Sequence, residues 1–261
     1  MLPDNLHLGP IPLHWFGLMM ALAMLVAGLV VGREFRRSGI SPGASWDAVL
    51  LGSIGGFAGA RLWVVVEQWG AFLRDPVHTL LGSGGLAWYG GLAGATLALT
   101  WFMRSRSIAW LAGADALAPA IAIGQAVGRL GCQLAGDGDW GTETTLPWGM
   151  AYPHAIVGWN KPPGVRVHPT PLYEFAAYLA VFAVLIAMRR REAPRGATLG
   201  AYLVLSGFAR FLVEFVRINP RVFLGLTVAQ LVSLGLVSVG GWLLLLAHRR
   251  DSDAGTVSLL C

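Results

Sequence analysis

The sequence predicts an all-α protein with about seven transmembrane helices. Its 261 residues are 55% hydrophobic and 13% charged, with a mean hydropathy of +0.61, whereas roughly 25% of the residues in an ordinary soluble domain are charged. A membrane-spanning helix needs about 20 mostly apolar residues, and seven segments meet that requirement. They lie at about residues 13–32, 47–66, 86–103, 109–128, 172–188, 198–216 and 226–247.

The basic residues between these segments predict their orientation. Eleven arginines follow the first, third, fifth and seventh segments: Arg33, Arg36, Arg37, Arg104, Arg106, Arg189, Arg190, Arg191, Arg195, Arg249 and Arg250. The positive-inside rule places these clusters in the cytoplasm, with the N-terminus outside. We therefore predict one integral-membrane domain over residues 1–250, with a long extracytoplasmic loop at about 130–170. A cytoplasmic tail, 251–261, is predicted to be disordered.

The charge and motif content excludes several other classes of protein. The net charge is +5 and the isoelectric point is near 9.8, but the cations lie in short clusters between apolar segments, so we expect no nucleic-acid partner. Two distant cysteines, Cys132 and Cys261, provide neither a disulfide framework nor a metal site. The sequence has no nucleotide-binding P-loop, zinc-protease, Cys-x-x-Cys or nucleophile-elbow motif.

Two connecting features also carry expectations. The segment Glu67 to Gly85 has apolar residues at helical spacing between charged ones, which predicts a short helix lying in the membrane interface. A glycine run at 52–59 is typical of close helix packing. A second run, at 82–94, brackets Trp88-Tyr89 at the start of a span and favours a helix N-terminus open to an anion.

Polar residues near the lipid mark the candidate site. They are His14, Arg61, Tyr89, Asp115, Arg129, His168, Tyr173, Glu174, Arg210 and Glu214. Most lie at the predicted outer ends of their spans. Arg129 closes an apolar run at 117–127, and an ionised residue at that depth is costly unless an anion meets it, so it indicates a functional site.

The balance of charge at that depth points to a phosphate. Arg210 and Glu214 are four residues apart, so they can pair with each other on one helix face. However, Arg61, Arg129 and Arg210 outnumber Glu174 and Glu214, and guanidinium groups bind phosphate with two parallel hydrogen bonds. We expect a phospholipid headgroup as the ligand. His14 and His168 are either general bases or hydrogen-bonded anchors.

Four sequence blocks resemble those of a known family, the prolipoprotein diacylglyceryl transferases. The blocks are Leu13-His-Trp-Phe-Gly-Leu18, Gly85-Leu-Ala-Trp-Tyr-Gly-Gly-Leu-Ala-Gly94, Gly128-Arg-Leu-Gly131 with its Gly-rich loop, and His168-Pro-Thr-Pro-Leu-Tyr-Glu174. The segments 210–217 and 226–230 are also similar to the family. The likeness extends over nearly the whole chain.

This resemblance implies a function and a set of site residues. The family moves the diacylglyceryl group of phosphatidylglycerol onto the lipobox cysteine thiol of a preprolipoprotein and releases glycerol phosphate, in the bacterial inner membrane, with no cofactor or metal. Arg129 and Arg210 would hold the headgroup phosphate, Glu214 would orient Arg210, and Arg61 would support them. Further implied substrate-binding positions are His14, Asp137, Gly141, His168, Tyr173 and Glu174. The nucleophile belongs to the substrate, so neither cysteine of this chain is required.

The chain departs from the family around the acceptor thiol. Tyr89 stands where many members have a histidine that is a candidate base, and a phenol with a pKa near 10 is a poorer base at neutral pH. Phe16 replaces a common tyrosine, and the loop from Cys132 to Gly141 lacks two family asparagines. Two hypotheses follow: a working transferase in which Tyr89, His14, His168 or the thiol's own ionisation replaces the base, or a paralogue that binds or moves phospholipid or uses another acceptor.

Overall fold

The structure is a computed structural model that describes residues 5–8, 11–81 and 87–258. The described residues form nine α-helices: α1 Trp15–Arg37, α2 Ala44–Glu67, α3 Trp69–Arg74, α4 Pro76–Leu81, α5 Trp88–Ser105, α6 Trp110–Ala135, α7 Thr170–Arg190, α8 Ala197–Val213 and α9 Val228–Ser258. Antiparallel hairpins pair β1 Asn5–Leu8 with β2 Ile11–His14, and β3 Arg221–Phe223 with β4 Leu226–Thr227. A 3₁₀ turn, Glu214–Val216, extends α8.

The predicted all-α membrane architecture is confirmed. Six of the described helices are long and apolar enough to cross a membrane: α1, α2, α6, α7, α8 with its 3₁₀ extension, and α9 as far as Arg250. The predicted span at 86–103 corresponds to α5, which has 18 residues and is not among those six. The count of seven spans and the N-out orientation therefore stay predictions.

Several helix ends differ from their predicted positions. Helix α6 continues to Ala135, so the long loop begins at 136 rather than at about 130. Helix α9 continues to Ser258, so most of the tail predicted to be disordered is helical. Extending a helix that already exists needs no new nucleation step, which explains how polar residues join it.

Packing divides the chain into two compact units. The first contains the described residues up to Val30 and those from Ala114 onward, and the second contains Val31–Gly113. The prediction of a single domain over 1–250 stays a prediction.

In the second unit, α2 and α5 pack as an antiparallel pair through glycine. A Cβ atom on Gly55 would lie 2.8 Å from the carbonyl oxygen of Gly94, which is closer than real Cβ contacts allow. The glycine run at 52–59 thus packs helices as predicted. Gly90 and Gly94 of the second run also face α2, so packing explains them, while residues 82–86 lie outside the described residues.

The segment predicted as one interfacial helix is two short helices, α3 and α4. Asp75-Pro76 separates them, because a residue before proline is driven out of the helical conformation. Trp69, Leu73 and Val77 are exposed on their surface, as the predicted amphipathic pattern requires. Arg61 of α2 donates from Nε to the Leu80 carbonyl at 2.6 Å and so ties α4 to α2.

In the first unit, α6, α7, α8 and α9 form the helical core. Small and aliphatic side chains fill the space between α6, α7 and α8: Ala118, Ala122, Val181, Leu185 and Ala201. Helix α8 approaches α9 closely, since a Cβ atom on Gly200 would lie 2.9 Å from the Gly240 carbonyl oxygen. The long loop has its own core, in which Trp140 stacks on Tyr152 with ring centroids 5.1 Å apart.

Candidate active site

An ion-pair network joins the ends of three candidate spans in the first unit. Its cations are Arg129 near the end of α6, Arg210 near the end of α8, and Arg217 just after the 3₁₀ turn. Its carboxylates are Asp139 in the long loop, Glu174 in the first turns of α7, and Glu214 in the 3₁₀ turn.

Glu174 lies at the centre of this network. Its Oε1 accepts a hydrogen bond from Arg210, and its Oε2 lies 2.9 Å from Nε of Arg129 and 3.6 Å from a terminal nitrogen of Arg217. The side chain is only 2% exposed. A buried carboxylate is tolerated when cations and hydrogen bonds compensate it, and here three guanidinium groups do so. Glu174 therefore fixes the spacing of the arginines.

Glu214 holds Arg210 from the other side. Its Oε2 lies 2.8 Å from Arg210 Nη2, while Oε1 accepts hydrogen bonds from Asn219 Nδ2 at 2.7 Å and Thr227 Oγ1 at 2.8 Å. Thr227 also starts α9, since its Oγ1 accepts from the Gln230 amide and Gln230 Oε1 accepts from the Thr227 amide. This capping box connects the start of α9 to Arg210.

Asp139 closes the network from the long loop. One carboxylate oxygen accepts from Arg129 and the other accepts from Arg217. Burial alone would raise the pKa of Asp139, but the Arg217 and Arg129 guanidinium groups outweigh burial and hold the pKa below its ordinary value. Burial raises the pKa of the neighbouring Asp137, with the charge of Asp139 adding to the rise. The folded protein thus lowers the pKa of one aspartate of this loop and raises the pKa of the other.

Backbone hydrogen bonds place the loop against α7 and the 3₁₀ turn. The Gly141 amide donates to the His168 carbonyl at 2.8 Å, and the Thr142 amide donates to the Val216 carbonyl at 2.7 Å. Thr170 also donates through its hydroxyl to the Asp139 carbonyl. A Cβ atom on Gly141 would lie 2.9 Å from the Cβ of His168. Only glycine fits this crossing, which brings Asp139 to the arginines.

A second group of polar side chains lies on the His168–Glu174 segment. Tyr173 accepts a hydrogen bond at its hydroxyl oxygen from Trp148 Nε1 at 2.8 Å, and this oxygen is 3.1 Å from His168 Nδ1. Deeper in the loop, Tyr152 donates to Gln133 Oε1 at 2.9 Å, and burial raises the pKa of Tyr152 to about 12. Tyr152 is therefore a structural phenol at neutral pH.

One set of possible metal ligands comes together among the described residues. The ligand atoms of Cys132, Asp137 and Asp139 lie within 4.8 Å of one another. However, both carboxylate oxygens of Asp139 bind guanidinium groups. Two adjacent cations disfavour a metal ion, so the site is suited to anions.

Comparison with known proteins identifies the family. Residues 3–246 match the family described as prolipoprotein diacylglyceryl transferase. The chain is 35% identical to the phosphatidylglycerol–prolipoprotein diacylglyceryl transferase of Cupriavidus metallidurans, with 97% of this chain and 95% of that one covered. The chain belongs to the prolipoprotein diacylglyceryl transferase family. Relatives of the same name from Methylococcus capsulatus and Cupriavidus necator are 35% and 36% identical, covering 96% and 97% of this chain and 97% and 95% of their own.

The network contains four of the residues that the resemblance to the diacylglyceryl transferases implied: Arg129, Glu174, Arg210 and Glu214. Gly141, His168 and Tyr173 lie in the segments packed beside it, and Asp137 is two residues before Asp139. His14 ends β2 and is exposed. Arg61 and Tyr89 belong to the second unit, where Tyr89 packs edge-to-face on Trp88 at 5.3 Å.

Two network residues were not predicted from the sequence. Arg217 is not among the site residues predicted from the sequence, and the predicted acidic residue of the loop is Asp137 rather than Asp139. Arg217 lies seven residues after Arg210 and three after Glu214, a helical spacing that could have indicated a shared face. No local sequence feature distinguishes Asp139 from Asp137. Asp139 reaches the arginines because the loop crosses the start of α7 at Gly141.

The predicted excess of positive charge is not present in this network. The predicted excess depends on Arg61, which belongs to the second unit, and does not include Arg217 and Asp139. In the structure, three guanidinium groups face three carboxylates. The network of this transferase-family member is therefore formally neutral, and an anion must be attracted by oriented N–H groups rather than by net charge.

Proposed function

We propose that this protein transfers the diacylglyceryl group of phosphatidylglycerol to the lipobox cysteine thiol of preprolipoproteins. The observation that carries the proposal is the set of three guanidinium groups that Asp139, Glu174 and Glu214 hold at the ends of α6 and α8. A phospholipid places its phosphate at the boundary of the apolar region, which is where these candidate spans end. The family membership supports the same reaction.

The reaction makes a thioether and releases glycerol phosphate. The cysteine sulfur bonds to the glycerol carbon that carries the phosphate ester, and the bond between that carbon and its phosphate oxygen breaks. The electron pair leaves with the oxygen, while the thiol proton passes to a base. Negative charge therefore develops on the phosphate, where oriented donors in a dry site stabilise the transition state most effectively.

Arg129 and Arg210 are the proposed phosphate ligands, and the carboxylates keep their planes fixed. Guanidinium groups bind phosphate through paired hydrogen bonds. Of the three carboxylates, Asp139 is the most exposed, at 28% of its side chain against 2% for Glu174 and none for Glu214. The phosphate is thus expected to approach beside Asp139. The supporting role implied for Arg61 stays a prediction.

The thiol needs a proton acceptor, and three side chains are candidates. Tyr89 occupies the family's histidine position, His168 is hydrogen-bonded to Tyr173, and His14 lies beside the start of α1. Ionisation of the substrate thiol itself is the fourth possibility. Tyr89→Phe and His168→Gln test the first two, because a side chain that takes the proton in the limiting step must change the pH profile of kcat when its acceptor atom is removed.

The proposed location is the bacterial inner membrane, with the site on the extracytoplasmic side. The arginine clusters after α1, α5 and α7 support this orientation. The clusters after α5 and α7 precede the first residues of α6 and α8. The last residues of these two helices, which include Arg129 and Arg210, are therefore expected on the other side of the membrane. This placement would give the site access to the outer-leaflet phospholipid and to exported preprolipoproteins.

The deciding experiment uses the purified protein, phosphatidylglycerol vesicles and a lipobox peptide. We expect a diacylglyceryl mass on the peptide cysteine and an equal amount of released glycerol phosphate. Arg129→Ala and Arg210→Ala should each lower turnover by about a hundredfold or more, the scale of losing one oxyanion donor. Arg74→Ala, which alters an exposed arginine of α3, is the matched control.

Two outcomes would contradict the proposal. Bound phosphatidylglycerol without adduct or phosphate release, beside an active relative as positive control, would favour a paralogue that binds or moves lipid or uses another acceptor. Near-normal turnover of Arg129→Ala or Arg210→Ala would remove the phosphate role of that arginine.

A further inference from the structure

Helices α6 and α8 are joined at the ends that lie far from the arginine network. Asp115, in the second turn of α6, is a carboxylate with 2% exposure. Its Oδ2 accepts from the Gly196 amide at 2.6 Å and its Oδ1 accepts from the Leu199 amide at 2.8 Å. Both carboxylate oxygens are therefore used at the first turn of α8.

These two amides belong to the helix start, where backbone N–H groups lack partners within the helix. Usually a Ser, Thr, Asp or Asn at the N-cap position accepts one of them. Here the N-cap residue is Gly196, which has no side chain. Its backbone is in the left-handed conformation, with φ +91°. Asp115 of another helix replaces the missing cap, so the cap also acts as a link between helices.

The link sets how far each helix extends toward the network. Arg129 is fourteen residues after Asp115 on α6, and Arg210 is fourteen residues after Gly196 on α8. At 1.5 Å per residue, each path is about 21 Å long. Measured from the Asp115 link, α6 and α8 therefore reach Glu174 after equal rises, which requires that they run in the same direction.

A further contact between the same helices lies partway along this path. Tyr202 of α8 donates from its hydroxyl to Gln125 Oε1 of α6 at 2.9 Å. At the far end, Arg129 Nε lies 2.9 Å from Glu174, and Arg210 binds the other oxygen of the same carboxylate. The axial position of α8 against α6 is thus fixed at its start, in its middle and at its end.

We infer that Asp115 is a positioning residue for the reaction: it fixes the axial register of α8 against α6 and so sets the spacing of Arg129 and Arg210. The inference rests on the proposed function of these arginines. A shift of about 1 Å in a catalytic group can cost about a hundredfold in rate. The two hydrogen bonds of Asp115 at the opposite end of the helices therefore contribute to the geometry of the phosphate site.

Asp115→Glu separates this role from simple capping. Glutamate keeps the charge and both acceptor oxygens but is longer by one methylene, so it can cap α8 only from a shifted register. We expect thermal stability near that of the wild type and a kcat per folded molecule at least about tenfold lower. Asp115→Asn, which loses one acceptor and the charge, should lower both stability and kcat.

The matched control is Thr198→Val at the same helix end. Thr198 is fully buried in the first turn of α8, and its hydroxyl has no hydrogen-bond partner among the described residues. Valine has nearly the same shape and leaves both bonds of Asp115 in place. We expect unchanged kcat and KM for this variant.

Hydrogen–deuterium exchange gives a readout that does not depend on turnover. In the wild type, the amides at 196–199 should be protected like those in the middle of α8. Asp115→Asn should accelerate exchange at 196–202 and also at 206–214, the segment with Arg210, whereas Thr198→Val should accelerate neither. Rapid wild-type exchange at 196–199 would overturn the link.

Two results would show that Asp115 caps α8 without positioning it. One is wild-type kinetics in Asp115→Glu. The other is an Asp115→Asn variant that loses stability but accelerates amide exchange only at residues 196–202. If the wild type itself transfers no diacylglyceryl group, the proposed function fails. The exchange pattern still decides whether Asp115 sets the register of α8.

Discussion

Arg217 and Asp139 form an ion pair between residues that are 78 positions apart in sequence. The pair connects the segment after α8 to the long loop after α6. The same aspartate binds Arg129 and the same arginine approaches Glu174. The pair thus connects the loop to Arg129 through Asp139, and to Arg210 through Glu174, which binds Arg210.

Arg217→Gln should lower turnover by at least about tenfold. The change removes a cation that Asp139 and Glu174 both face, and partners of a buried ion pair are destabilised when one member is lost. Initial rates with phosphatidylglycerol vesicles and a lipobox peptide measure the effect. Arg221→Gln is the control, because Arg221 is exposed and, among the described residues, donates to the Gly225 carbonyl in its own hairpin. Equal rates for both variants would exclude Arg217 from the site.

Thr227→Val should destabilise the protein by about 1–3 kcal/mol and reduce turnover. Valine keeps the shape but removes the hydroxyl that caps α9 and donates to Glu214, and losing a cap or leaving a buried carboxylate unpaired has costs of this size. Thermal unfolding in detergent and initial rates measure the two effects. Thr227→Ser retains the hydroxyl and should restore both. A serine variant as impaired as the valine variant would mean that the methyl group, not the bond, is what matters.

Gly141→Ala should destabilise the long loop and lower activity. The added methyl group would overlap the His168 Cβ and the Thr170 methyl, each 2.9 Å away, and overpacking typically costs about 1–3 kcal/mol. Limited proteolysis of the loop and thermal unfolding measure the change. Gly235→Ala on α9, where no atom of the described residues lies within 4 Å of the added methyl group, should be neutral or slightly stabilising because alanine favours helices. Full loop protection in Gly141→Ala would contradict the close crossing.

The two aspartates of the loop should contribute to stability with opposite signs. Asp139 has a lowered pKa in the folded protein, so its charged form stabilises the fold above the unfolded pKa of about 3.9. That contribution is lost as the pH falls through the lower, folded pKa. Asp137 has a raised pKa, so its ionisation costs stability once the pH exceeds about 3.9.

Asp139→Asn should therefore lower the melting temperature at pH 7 and flatten its decline in acid. Asp137→Asn should keep or raise the melting temperature at pH 7. Unfolding curves between about pH 3 and pH 7 measure both variants. Parallel pH profiles for the two variants would show that the arginines do not distinguish the aspartates.

The local and periodic features of the site could be predicted from sequence. Arg129 at the end of an apolar segment is costly in lipid, and Arg210 and Glu214 share a helix face, so their roles follow from spacing and depth. The pairing of Asp139 with Arg217 could not be predicted, because it depends on how the loop crosses α7 at Gly141. Asp115 could be recognised as a polar residue near the lipid, but its partners are backbone amides of another helix and have no sequence signature.

The fold shows the same division. The length of the apolar segments predicted the long helices. Their ends and the break at Asp75-Pro76 depend on local backbone conformation, which hydropathy does not measure. Gly200 and Gly207 allow the close approach of α8 to α9. The sequence around them shows only an apolar segment, so this contact could not be predicted.

The distribution of the network over α6, α7 and α8 has a consequence for how the protein is made. Arg129, Glu174 and Arg210 belong to three successive helices, and the buried Glu174 carboxylate of α7 is compensated by Arg129 of α6 and Arg210 of α8. This compensation is complete only when all three helices have emerged from the ribosome and met. During biosynthesis, α6 is therefore expected to wait at the insertion machinery until α7 and α8 arrive, so that the three helices are released into the bilayer together.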